Sequence, residues 1–291
     1  MIPYAKIFRQ AIEITRNNKF LWIFGPPAIA SLIISLKLAQ ALRAGLFLSL
    51  ATTFIVPEDE PTINNISPWI FIAVLIIFLV IYFRCKAALM IAIKSIIDQK
   101  EITIAKAFKP SQQYFLQLMG VYFMIQVAIG LLGMVMYLPI RSMFDAGNTY
   151  AAVSFTVVGL LIFIPFALAA VLYNVIVPMF IVIFGLKYNE ALKRTSELLS
   201  KHWQTLLVVG FLMFLPQLLI LLASLSIVFF QDLPYHMIGL AGIIGTGLLL
   251  LLAHAILAVF QQAVWVLTFL ELVRPQKFEE EVPEVAPEIA G

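Results

Sequence analysis

The stretch Tyr188 to Leu215, YNEALKRTSELLSKHWQTLLVVGFLMFL, decides the fold because a charged amphipathic pattern passes directly into an apolar one. Its first half spaces apolar or small residues three and four apart, which places them on one helical face and the charged residues on the other. From Trp203 to Phe230 the chain has no Asp, Glu, Lys or Arg, and Trp203 stands at the changeover, where an amphipathic ring favours the membrane interface. The pattern predicts a helix lying on a membrane surface, followed by a helix that crosses the membrane.

The N-terminus repeats this pattern with a constant offset of 184 residues. Tyr4 matches Tyr188, Glu13 matches Glu197, and the apolar positions between them match as well. A poorer third copy lies in EITIAKAFKPSQQYF, residues 101–115, in which Ile102, Ala105 and Phe108 keep the helical spacing and Pro110 must break or restart the helix. We therefore predict an all-α membrane bundle built as a threefold repeat, each unit containing an amphipathic helix, a span, an outer loop and a second span.

The repeat units are expected near residues 4–98, 101–184 and 188–274, within a single membrane domain covering 1–274. Residues 275–291 are acidic, contain proline and lack aromatic residues, which is typical of a disordered tail. Six transmembrane helices are predicted, with a loop after the third span and a helix end at Gly185. Their expected positions are Phe20 to Leu36, Trp69 to Phe83 with helix continuing to about Asp98, Leu116 to Leu138 before a loop with Pro139, Arg141 and Asp145, a span within Ala151 to Phe184, a span from Trp203, and Met237 to Leu270.

The distribution of basic residues predicts the orientation. Sixteen of the 19 Lys and Arg residues fall on the side of the amphipathic helices, and only Lys37, Arg43 and Arg141 fall on the other. The positive-inside rule therefore places both termini in the cytoplasm of a bacterial-type inner membrane. Lys37 is expected to snorkel to the outer boundary if the first span begins near Phe20, and to lie near mid-membrane if it begins at Pro26. A cleaved signal peptide ending near Ala39-Gln40-Ala41 is the alternative for the first 41 residues, but the basic region is long and amphipathic.

The composition and motifs of the chain argue against an enzyme active site. Hydrophobic residues make up 62% of the chain and charged residues 12%, with a mean hydropathy of +1.01, far from a soluble domain. The single cysteine, Cys85, cannot form an intramolecular disulfide, and neither a metal-ligand motif nor a phosphate-binding loop is present in the sequence. We therefore expect no enzyme, no cofactor, no metal and no nucleic-acid partner.

Polar side chains inside the spans are the first group of candidate site residues. They are His254, Asn174, Gln126, Gln217 and Gln261, with Gln262 beside the last. Such residues normally form hydrogen bonds between helices, and the sharper alternative is a polar cavity lined by His254, Asn174 and Gln217.

Cations on the amphipathic helices are the second group. Arg9, Arg16, Lys193, Arg194 and Lys201 are candidate contacts for anionic lipid headgroups. The simpler alternative is that these charges only set the topology of the chain.

Two stretches carry a resemblance to a known group. NEALKRTSELLSKHWQTLLVVG, residues 189–210, and AVFQQAVWVLTFLELVR, residues 258–274, resemble the interfacial helix and closing segment of poorly characterised bacterial six-span proteins. That group includes the membrane domain attached to some glycerophosphoryl diester phosphodiesterases. The catalytic domain of those enzymes is a separate soluble barrel that this sequence does not encode, so the resemblance implies a non-catalytic membrane module.

The sequence thus predicts a membrane scaffold or a lipid-interacting module. Its expected partners are membrane lipids, including anionic ones. A membrane-protein partner and a homo-oligomer are further alternatives. The alternative function is a transporter of small molecules or lipids that uses discontinuous helices near Pro26, Pro165, Pro178 and Pro216.

Overall fold

A computed structural model describes residues 3–25, 68–231 and 236–273. It contains seven α-helices in these ranges and a 3₁₀ helix, Lys19–Phe24, that follows the first of them. The helices are α1 Tyr4–Asn17, α2 Pro68–Ile97, α3 Ile104–Ser111, α4 Phe115–Asp145, α5 Thr149–Phe184, α6 Tyr188–Gln231 and α7 His236–Val273. The described part of the chain is all-helical, as the sequence predicts.

Five of these helices are long and apolar enough to cross a membrane: α2, α4, α5, α6 and α7. Large apolar side chains such as Val135 and Leu161 are mostly exposed on them, as expected where lipid replaces water. Beyond Gly25 the first predicted span lies outside the described residues, as do Lys37, residues 57–67 before the second predicted span and the tail at 275–291.

Helix α4 is longer than the sequence predicts. The loop expected from Pro139 is wrong, because the helix continues through Pro139 and Arg141 to Asp145. Proline removes one backbone donor, but apolar surroundings penalise every other backbone group that leaves the helix. An ion pair of 3.8 Å between Arg141 Nε and Asp145 Oδ2 closes the last turn. Helix α5 starts immediately afterwards, with the Asn148 side chain accepting a hydrogen bond from Ala151 N.

Gly185 ends α5 in the left-handed region, at φ 68°, as predicted for a C-terminal glycine. Helix α6 then begins at Tyr188 and bends at His202, whose φ of −129° and ψ of 21° are not helical. The bend falls at the changeover between the charged and the apolar half, beside Trp203. Residues 188–201 therefore form a separate segment that enters the long apolar part of α6 at an angle.

Helix α3 differs from its predicted form in its buried face. Thr103 caps it by accepting a hydrogen bond from Lys106 N at 3.4 Å, so Ile102 lies outside the helix. Ala107 and Ser111 are buried, whereas Ala105, expected on the apolar face, is exposed. The predicted break at Pro110 is confirmed within a residue, since the helix ends at Ser111.

The core lies where α2, α5 and α7 approach one another. Each of the three packs against the other two, and the buried residues cluster at 83–93 in α2, 170–182 in α5 and 250–273 in α7. Phe180 of α5 meets Phe269 of α7 edge to face, with ring centroids 4.8 Å apart. Helix α4 contributes only its first turns, through Leu118, Val121 and Ile125. Burial is therefore concentrated at the end of the bundle where α2, α5 and α7 finish.

Three short charged segments sit at that same end: α1, α3 and residues 188–201 of α6. We call them the charged helices. Helix α1 packs against α7, α3 against α2, and α6 against α5. Each charged helix thus belongs to an element that contacts a core helix.

Candidate functional site

Each charged helix buries a small residue at the centre of its inner face. Ala11 of α1, Ala107 of α3 and Thr195 of α6 are all fully buried. In each case the helix is interrupted seven residues later: at Asn18, in the turn ending at Tyr114, and at His202. Small side chains let two helix backbones approach closely, so all three charged helices pack against the bundle through a small residue.

Buried hydroxyls on these faces are satisfied inside their own helices. Thr15 Oγ1 donates to Ala11 O at 2.8 Å, Ser111 Oγ to Phe108 O at 2.7 Å, and Thr195 Oγ1 to Ala191 O at 2.7 Å. A hydroxyl that bonds back to its own helix leaves no unpaired polar group at the contact. The inner faces therefore act as close-packing surfaces.

An aromatic contact ties each charged helix to a long one. Phe8 of α1 meets Phe260 of α7 edge to face at 5.9 Å. Phe108 of α3 lies under the guanidinium of Arg84 of α2, with 4.3 Å between Cζ and the ring centroid.

The third contact joins the start of α6 to α4. The Tyr188 hydroxyl donates to Met124 Sδ. The three tethers differ in chemistry but hold the charged helices at the same end of the bundle.

The outer faces of the charged helices carry the cations that are predicted as candidate contacts for lipid headgroups. Arg9 and Arg16 of α1 and Lys193 and Lys201 of α6 are exposed. Arg9 Nε lies 3.4 Å from Glu13 Oε1. Arg194, which is less exposed, lies 3.5 Å from Glu197 Oε2. Exposed pairs of this kind contribute little to stability, so the pair of Arg9 and Glu13 separates at little cost.

The polar candidates in the spans fall at different helix contacts. The backbone carbonyl of Asn174 in α5 accepts a hydrogen bond from Lys86 of α2 at 3.4 Å. Gln261 Nε2 of α7 donates to Met213 O of α6 at 3.1 Å, as a span glutamine joining two helices should. His254 is buried, and its Nδ1 lies 2.8 Å from Leu250 O in its own helix.

Two further glutamines complete the set of polar candidates. Gln217 is partly buried one turn beyond Met213, and Gln126 is exposed on α4. The described hydrogen bonds join Gln261 to the α6 backbone at Met213 and the Asn174 carbonyl to α2.

Arg84 and Lys86 in α2 are predicted from the sequence only as cations that set the topology of the chain. Both lie within the long helix and close to the core: Lys86 bonds to Asn174 O, and Arg84 stacks on Phe108. Arg84 Nε and Gln262 Nε2 are buried without a hydrogen-bond partner among the described residues. A signal was present in the sequence, because the predicted helix continues for more than ten residues beyond Arg84 and Lys86, which places both cations inside a long helix.

In the described ranges no group of three His, Cys, Asp or Glu residues is arranged to hold a metal ion. Comparison of the chain with protein-family models, with curated proteins and with solved structures finds no match. The candidate site therefore rests on geometry: one end of a membrane bundle with small-residue contacts inside and cations outside.

Proposed function

We propose that this protein is a non-enzymatic module of a bacterial-type inner membrane that engages anionic lipids through its charged helices. In this proposal both termini and all three charged helices lie at the cytoplasmic surface, where the charged helices bind lipid headgroups. The resemblance to the membrane domain of glycerophosphoryl diester phosphodiesterases fits this role, because that domain is separate from the catalytic barrel.

One observation carries the proposal. Every charged helix buries a small-residue face against the bundle and turns its cations outward, at the end where the three core helices finish. Each Lys or Arg near an anionic membrane surface contributes about 1 kcal/mol of attraction. Several such cations on three fixed helices would attract anionic lipid to this end of the protein.

The threefold repeat is part of the proposal, and packing supports it. When Asn18, Tyr114 and His202 are aligned, the buried positions that follow Tyr114 also align with those that follow His202. Those positions are Leu118, Val121 and Ile125 in α4, and Leu206, Val209 and Met213 in α6.

The order of contacts supports the repeat as well. Helix α3 packs on the preceding α2 and α6 on the preceding α5, while α1 packs on α7 at the other end of the chain. A closed ring of three units would produce this order. In that ring the six predicted spans would be two for each unit.

Charge neutralisation tests the function. The triple variant Lys193→Gln, Arg194→Gln, Lys201→Gln is expected to retain at least threefold less anionic phospholipid after gentle extraction, measured by native mass spectrometry. The matched control keeps the charge, with Lys193→Arg and Lys201→Arg. Equal lipid retention in the neutral and the charge-conserving variants would refute the proposal.

Transport is the second candidate, and Lys86 is the observation that favours it. An ionisable residue within a span is a functional-site hypothesis by default, and Lys86 sits at the contact of α2 with α5. The adjacent Cys85 is the only cysteine and is buried, so its thiol reports whether water reaches this level.

A small charged methanethiosulfonate reagent provides the test. Rapid modification of Cys85 in the folded wild-type protein would favour transport through a hydrated path. A thiol that reacts only after unfolding would favour the packed scaffold.

A further inference from the structure

We infer that the junction of α1, the 3₁₀ helix and α7 is a binding site for one anionic glycerophospholipid. This inference rests on the proposed function and assigns its first specific lipid site. The phosphate would lie against Arg16, and an acyl chain would lie in the apolar groove beside it.

The apolar part of the site is a groove of about 350 Å³ between three elements. It is lined by Ile12, Thr15, Arg16, Trp22, Ile256 and Phe260. Thr15 contributes no free hydroxyl, because its Oγ1 bonds to Ala11 O. Trp22 Nε1 donates to Thr15 O at 3.2 Å, so the indole also presents its apolar ring. An apolar wall with its polar atoms already paired suits a hydrocarbon chain.

A second groove of about 440 Å³ adjoins the first along the outer face of α1. Ile12 and Arg16 line both grooves, and the second also includes Phe8, Arg9 and Glu13. Phe8 of the second groove packs on Phe260 of the first, so the two grooves adjoin at this contact between α1 and α7. The combined surface offers an apolar trough at one end and a charged one at the other, which is the amphipathic form of a phospholipid.

The charge of the second groove selects the headgroup. Arg9 and Glu13 lie 3.4 Å apart and largely cancel each other. Arg16, exposed in the last turn of α1, leaves the groove with one net positive charge. A guanidinium donates to a phosphate through two parallel hydrogen bonds, so one phosphodiester matches the site in charge and geometry.

The position of the groove favours a lipid over free phosphate. Trp22 follows α1 in the short 3₁₀ helix, and tryptophan is enriched where lipid headgroups meet hydrocarbon. Ile256 and Phe260 belong to α7, one of the helices able to cross a membrane. The cation and the apolar trough thus lie at the depth where a lipid presents its phosphate and the start of its chains.

The experiment is native mass spectrometry of the full chain with added phosphatidylglycerol, compared with phosphatidylcholine of the same acyl chains. The wild-type protein is expected to bind one phosphatidylglycerol at least tenfold more tightly than later ones. Arg16→Gln should weaken that first binding at least tenfold, because it removes the charge and the two charge-assisted hydrogen bonds to the phosphate. Ile256→Trp should weaken it at least as much by filling the groove while keeping the charge.

Arg141→Gln is the matched control, because it removes an exposed arginine at the far end of α4. It should leave the first binding step unchanged. Loss of binding in Arg141→Gln equal to that in Arg16→Gln would overturn the site and point to diffuse attraction. Inorganic phosphate competing as well as the lipid would overturn the role of the groove.

A photoactivatable phosphatidylglycerol with a diazirine in its acyl chain tests the same site in the unmodified protein. Cross-links are expected on peptides containing Ile12, Trp22 or Ile256. Cross-links confined to the α4 and α5 surface would overturn the inference.

The two hypotheses fail separately. If neutralising Lys193, Arg194 and Lys201 reduces lipid retention but Arg16→Gln and Ile256→Trp change nothing, the groove is wrong and the proposed function stands. If neither set of variants changes lipid retention, both fail.

Discussion

Gly25 ends the 3₁₀ helix at a point where the chain nearly touches α7. A Cβ placed on Gly25 would lie 2.9 Å from Ala255 Cβ and 2.9 Å from Trp22 O. Carbon atoms in ordinary contact are about 3.5 to 4.0 Å apart, so Gly25→Ala forces a separation of roughly half an ångström or more. Neither a methyl group nor a backbone carbonyl can rotate away. The substitution should therefore weaken the packing of the 3₁₀ helix, and of α1 before it, against α7.

The expected cost is that of overpacking, about 1 to 3 kcal/mol. At roughly 2 to 4 °C per kcal/mol for a domain of this size, the melting temperature should fall by about 2 to 12 °C. Part of the cost has a second source, because an alanine before a proline disfavours the ψ of 7° that Gly25 adopts. A double-mutant cycle with Ala255→Gly isolates the clash with α7, since it relieves the contact with Ala255 Cβ and leaves the Trp22 O contact and the backbone cost unchanged.

The assay is thermal unfolding of the purified protein in detergent. Gly120→Ala is the matched control, because nothing lies within 4 Å of the added Cβ in helix α4. It should be neutral or slightly stabilising, as alanine is the better helix former. Gly25→Ala is expected to be destabilising and to be partly rescued by Ala255→Gly. Equal melting temperatures for Gly25→Ala and Gly120→Ala would refute the close contact between the 3₁₀ helix and α7.

Three further predictions concern other tethers of the charged helices and the core. Trp22→Phe loses the hydrogen bond to Thr15 O and should lower the free energy of unfolding by about 0.5 to 1.5 kcal/mol, read from thermal unfolding. In a double-mutant cycle, Arg84→Gln and Phe108→Leu should show a coupling of about 0.5 to 2 kcal/mol, and zero coupling would contradict the stacking. Lys86→Met loses the hydrogen bond to Asn174 O but also removes a charged group from packed surroundings, so the free energy of unfolding should change by no more than about 1 kcal/mol. A larger loss of stability would show that the hydrogen bond to Asn174 O is essential to the core.

The sequence was sufficient wherever one strong local signal acted alone. Gly185 predicted the end of α5, and the abrupt loss of charge at Trp203 predicted the changeover in α6, where the structure adds a bend at His202. Apolar runs predicted the long helices for the same reason, since a backbone in lipid must satisfy its own hydrogen bonds.

Local signals failed where surroundings decide the outcome. Pro139 reads as a helix end in water, but in an apolar environment the helix continues to Asp145. Helix α3 starts after its capping residue Thr103, and Ala107 rather than Ala105 faces inward. A shift of two residues turns a helix by more than half a turn, and spacing alone does not fix that phase.

The candidate site was predictable only on its outer side. Charged positions on α1 and α6 follow from helical periodicity, and the structure leaves Arg16 and Lys193 exposed. The inner side depends on contacts between residues far apart in the chain. No local pattern brings Phe8 to Phe260, or Lys86 to Asn174.

Cysteine accessibility in intact cells tests most directly whether the three charged helices share the cytoplasmic face. Single cysteines would replace Lys6, Lys109 and Lys193, one on each charged helix, and Ala146 between α4 and α5, in a background with Cys85 changed to alanine. A membrane-impermeant maleimide is expected to label the Ala146 position from outside, and the three charged-helix positions only after the membrane is opened. Labelling of any charged-helix position in intact cells would contradict the shared cytoplasmic face and the lipid-engaging surface built on it.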